Sequence, residues 1–185
     1  MWCKIPQNQP MRPEFPPPLD ALFPFLCQLL QMMDLPMQEA DALCRRFAFE
    51  CADEALTACK QAGVQVPPPF NEVVEALRRH AQAPGPETLQ AAEQAGIGAM
   101  MWTDLFGSKY AVHAVRTLRS TGGHAIHEAV RTADHAALTL ASVVREQNRS
   151  RVELVNPTPE RFARARLDYR ASQHERLWRL VHEAW

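Results

Sequence analysis

Helix breakers punctuate this sequence at intervals of helical length: Pro36, Gly63, Pro84-Gly85-Pro86, Gly107-Ser108, Gly122-Gly123 and Thr158-Pro159. Proline lacks an amide donor and glycine lacks a Cβ, so each point ends or starts an element. The blocks between them are rich in Ala, Leu, Arg, Glu and Gln, whereas Val and Ile are far fewer and Tyr occurs only twice. That balance favours helix, and no strand-like run with turn punctuation competes. The expected fold is all-α: a compact antiparallel bundle of six or seven helices. It occupies residues 19–185 as a single domain, behind a Pro-rich arm at 1–18.

The breakers place the helices. A short apolar helix spans 19–33, with a kink or start at Pro24. Asp34 and Pro36 open a second, at 36–62, which Gly63 caps. Asn71 caps a third over 71–82; a fourth runs 86–106, a fifth 109–119 and a sixth 124–148. Thr158 caps and Pro159 opens the last, which runs to the C-terminus. Gly96-Ile97-Gly98-Ala99 lies inside a helix without the strand-turn-helix setting of a phosphate loop, so it marks a close approach of two helices. The arm carries PxxP spacings at Pro10–Pro13 and Pro13–Pro16, and is expected to lie on the domain.

With 185 residues, 46% hydrophobic and 22% charged, the chain has material for one folded core. The net charge of −1 argues against a general polyanion binder, so nucleic acid is disfavoured as a partner. The charge is unevenly placed: residues 1–108 carry −6 and residues 109–185 carry +5. The two halves are expected to fold onto each other, with head-to-tail self-association or an outside partner as alternatives. Met1-Trp2-Cys3-Lys4-Ile5-Pro6 lacks a signal-peptide core, and the most apolar stretch is too short and too interrupted to span a bilayer. Cys44, Cys51 and Cys59 share a helix face with Phe47, Ala48 and Ala55, and read as small buried hydrophobes in a reducing compartment. A cytoplasmic location follows as the expectation.

No Ser or Cys sits in a nucleophile elbow, no Cys/His quartet or HExxH is present, and no cofactor is implied. The best metal candidate is His124, His127 and His135, on one side of the sixth helix near Glu128. The apolar stripe of that helix (Ile126, Ala129, Val130, Ala133, Ala137, Leu140, Val144) lies opposite, so these histidines are expected to face solvent. The Met100-Met101-Trp102…Leu105-Phe106 cluster is expected to be core. In the last helix, Phe162, Ala163, Leu167, Leu177, Val181, Ala184 and Trp185 form one apolar side, and Arg166, Arg170 and His174 fall on that same side. Charges on a core-facing stripe must be paired. Their partners are expected either in the acidic front half or on an acidic patch of another protein, with Tyr169, Trp178 and Trp185 as aromatic anchors.

Cys44-Arg45-Arg46-Phe47-Ala48-Phe49-Glu50-Cys51 leads to Asn71-Glu72-Val73-Val74-Glu75-Ala76-Leu77-Arg78. Ala91-Ala92-Glu93-Gln94-Ala95, Gly123-His124-Ala125 and Asp134-His135-Ala136-Ala137 follow. This order, over about 40–150, resembles bacterial alanine-rich helical families described as immunity proteins of polymorphic toxin systems; Gln173-His174-Glu175-Arg176-Leu177-Trp178 resembles the final helix of some relatives. The arm and residues 145–157 depart from the pattern, and no functional residue carries over. The resemblance implies a non-enzymatic protein that binds and neutralises a cognate toxin. A scaffold subunit of a larger assembly and a metal-dependent hydrolase built on His124, His127 and His135 are the alternatives.

Overall fold

The computed structural model describes residues 22–100, 109–150 and 159–184, apart from the side chains of Phe23, 143–150, 159–162 and Ala184. Among these residues there are seven helices and no strand: α1 Leu22–Met32, α2 Met37–Gln61, α3 Pro68–Gln82, α4 Pro86–Met100, α5 Lys109–Arg119, α6 Gly123–Ser150 and α7 Pro159–Ala184. They pack into an all-α bundle, as the breaker pattern predicts. The Pro-rich arm, the Met101–Phe106 part of the Met/Trp cluster, Thr158 and Trp185 lie outside the described residues.

The most extensive packing joins α2 to α6, and both helices present small residues to the contact. Ala40, Cys44, Ala48, Cys51, Ala52 and Ala55 are buried on α2; Ala125, Ala129, Ala133, Ala136 and Ala137 are buried on α6. Small side chains let two helical backbones approach, and larger ones such as Phe47, Ile126 and Leu140 fill the space beside the seam. The expected cysteine face of α2 is therefore core. α6 also contacts α1, α5 and α7, which makes it the centre of the bundle.

Local chemistry sets the ends. Gly63 has φ +70°, its amide bonds to the carbonyl of Lys60, and the Val64 amide bonds to that of Cys59. This double closure satisfies carbonyls that the end of α2 leaves open, and glycine adopts the required positive φ without strain. The start of α3 differs from the sequence expectation. Pro68 and Pro69 lie in its first turn, where a missing amide costs nothing, so the helix begins at Pro68 and Asn71 is inside it. Asp34 likewise follows the end of α1 at φ 47°, rather than capping α2, whose N-cap is Pro36. The buried Asp41 of α2 accepts the Gly122 amide at 2.7 Å and so fixes the turn that launches α6.

Gly96 is where α4 meets α5: a Cβ there would lie 3.1 Å from Val115 Cγ1. Gly98 has open space around it, so only the first of the paired glycines makes the expected close approach.

Candidate protein-binding face

The stripe on α7 divides at residue 170. Beyond it Gln173, His174, Leu177, Leu180 and Val181 are buried, with Trp178 half-buried against the core. Before it Ala163, Arg164, Arg166, Leu167 and Asp168 are exposed, and Tyr169 is half-buried. Leu167 is 45% exposed, although its helical phase lies close to that of the buried His174 and Val181.

Arg170 lies inside and forms an ion pair with Asp134 of α6. Its Nη1 donates to Gln173 Oε1 at 3.1 Å, and Gln173 Nε2 donates to the carbonyl of Ala133 at 2.7 Å. A charge-assisted clasp of this kind ties α7 to α6 and leaves the guanidinium's charge neutralised within the chain. The counter-charge comes from the basic half, not from the acidic front half that sequence reasoning favoured.

His174 meets the burial cost differently. Neither ring nitrogen has a hydrogen-bond partner, and the ring packs on Phe25 of α1 with centroids 4.8 Å apart. Burial, then the nearby Arg170 charge, pushes its pKa down to about 4. The imidazole is neutral at neutral pH, so it needs no counter-charge. Arg170 and His174 are therefore both interior: one is paired inside the chain, the other is an uncharged core ring. Trp178 packs edge-on to Phe25 and stacks with His182, and Trp185 lies outside the described residues.

Other arginines of α7 do meet the acidic front half. Arg176 reaches Glu54 at 2.9 Å and Glu50 at 3.6 Å, and Arg179 reaches Glu50 at 2.6 Å. Arg46 of α2 returns the contact to Glu183 at 2.6 Å. Carboxylates at 50 and 54 and arginines at 176 and 179 are one helical turn apart or less, so they fall along the α2–α7 seam. The expected folding of the acidic half onto the basic half is realised here. Arg164 and Arg166, by contrast, form no ion pair among the described residues.

The histidine cluster is dispersed. His124 and His127 are exposed on α6, while His135 is half-buried and stacked on His113 of α5, centroids 5.2 Å apart and planes within 2°. His113 Nδ1 bonds Glu128 Oε2 at 2.7 Å, which takes up the carboxylate expected beside His124 and His127. Among the described residues no group of three or more His, Cys, Asp or Glu side chains could hold a metal ion. Sequence reasoning missed His113; its only signal was its place on the apolar face of α5, between Val112 and Ala114. Burial pushes the thiols of Cys44 and Cys51 up to about 12, so both are protonated and non-nucleophilic at neutral pH.

No helix among the described residues is long and apolar enough to cross a membrane. No family model matches the chain, and no curated protein or solved structure matches it. What the geometry defines is a class: an all-α bundle whose last helix is anchored from Arg170 onward and exposes Ala163, Arg164, Arg166, Leu167 and Asp168 before it.

Proposed function

We propose that this chain is a non-enzymatic protein-binding domain that docks an acidic partner protein on the leading turns of α7. The observation that carries this is Leu167, 45% exposed on the apolar stripe, with Arg164 and Arg166 beside it and uncommitted to any described carboxylate. An exposed leucine flanked by exposed guanidinium groups suits a surface that pairs apolar contact with carboxylates, and Tyr169 at its edge supplies an aromatic anchor. The buried cysteines Cys27, Cys44, Cys51 and Cys59, none of them in a disulfide, suit a reducing, cytoplasmic setting. Neutralisation of a cognate toxin is the narrower form of this reading, and its support is the helix order of 40–150.

The test is capture from source cells by the wild-type chain and by an Arg164→Glu/Arg166→Glu variant, followed by affinity measurement on the purified partner. The reading expects an acidic protein whose affinity falls about tenfold or more on charge reversal and weakens with salt. Equal affinity for both chains would place the partner elsewhere. A dimer of this chain broken by the same reversal would make the surface a self-association site instead.

A further inference from the structure

A second surface lies between α4 and α5. Gly96, Ile97 and Met100 on one helix face Val112, Val115 and Arg116 on the other, across a cleft of about 570 Å³. Contact of Gly96 with Val115 and the Glu93–Arg119 ion pair show that the helices run antiparallel. The glycine contact draws the two backbones together, and the ion pair closes one end. From there the walls become apolar. Ile97 is 67% exposed, the most exposed large hydrophobic residue among those described, and Met100 is half-exposed.

The charges around this cleft are unequally committed. Arg119 is taken by Glu93, and Glu128, at the cleft's edge, is taken by His113. Arg116 is exposed and forms no ion pair among the described residues, so it sets an exposed positive charge next to a hydrophobic trough. A guanidinium presents paired N–H donors that match a carboxylate, and exposed isoleucine gains by leaving water.

We propose that this cleft binds a small amphiphilic carboxylate, its chain lying against Ile97, Val112 and Val115 and its ionised head held by Arg116. The size agrees: the lined walls run from Glu93 to Met100 and from Val112 to Arg119, ~10 Å at the helical rise, suited to a medium-length acyl chain rather than a long lipid. The volume falls within the range of small-molecule sites. The site is distinct from the leading turns of α7 and does not depend on a protein partner there.

Calorimetric titration of the full chain with decanoate, below its micelle concentration, tests the assignment. The expected result is saturable binding at one equivalent, weakened about tenfold by Arg116→Gln through loss of a charge-assisted contact. Ile97→Glu abolishes it, with circular dichroism unchanged because that side chain is exposed. Arg166→Glu, on α7, leaves it intact. Absence of saturation, unchanged affinity in Arg116→Gln, or equal binding of decanol and decanoate would each overturn the proposal. So would sedimentation showing a dimer that Ile97→Glu dissolves, since the trough would then be an interface between copies.

Discussion

A buried imidazole without hydrogen bonds makes stability depend on pH in a calculable way. His174 is 1% exposed, so solvent does little to screen its cationic form, and its pKa in the folded chain is about 4. An unfolded chain returns it to about 6.5. The folded value is the lower one, so the unfolded state binds more protons between these limits. Stability is fully present above pH 6.5 and is lost as pH falls toward the folded pKa. From these two values, acidification from pH 7 to pH 5 removes about 2 kcal/mol, and the loss levels off near 3 kcal/mol below pH 4. For a chain of this size 2 kcal/mol lowers the melting temperature by roughly 4–8 °C. His174→Leu removes the titrating ring and retains an apolar side chain against Phe25. The variant is expected to keep its stability at pH 7 and to lose about 2 kcal/mol less than wild type between pH 7 and pH 5. Urea unfolding of both chains at each pH measures the difference. His80, His113 and His135, whose pKa values are also lowered chiefly by burial, contribute to the slope in both chains and cancel in the comparison. Equal pH slopes in the two chains would refute the reasoning, because His174 would then be hydrated or paired in solution.

Two further perturbations follow from the packing. Asp134→Asn removes the carboxylate paired with the buried Arg170, and urea unfolding should show a loss of about 3 kcal/mol, whereas ion pairs of the exposed seam such as Arg179–Glu50 are worth less than about 1 kcal/mol each. Gly98→Ala meets open space in a helix and should stabilise by up to about 1 kcal/mol, while Gly96→Ala must displace Val115 and should fall below it by roughly 1–2 kcal/mol in the same assay.

Much of the architecture was legible because breakers act locally. Gly63 and Pro84-Gly85-Pro86 end and begin helices by their own backbone chemistry, and the structure follows them. Asn71 misled because a good capping side chain competed with two prolines just before it, and prolines suit a first turn better. Helical phase correctly gathered Leu177 and Val181 with Leu167, but phase is a property of one helix and burial is a property of two. Among the described side chains of this stripe Leu167 is exposed while those from Arg170 onward are buried, so neighbouring phases lead to opposite exposures. Partner choice was likewise invisible: nothing local to Arg170 names Asp134, and nothing local to Glu128 names His113. The need for a counter-charge at Arg170 was readable, and its source was not.

α7 has a boundary along its length, with Arg170 buried and paired inside the chain and Arg166 exposed before it. Thermal unfolding of Arg166→Glu beside Arg170→Glu measures it directly. Arg166→Glu should melt with wild type, whereas Arg170→Glu, which buries a carboxylate against Asp134, should melt many degrees lower or fail to fold. Equal melting of Arg170→Glu and wild type, or a large drop for Arg166→Glu, would contradict it.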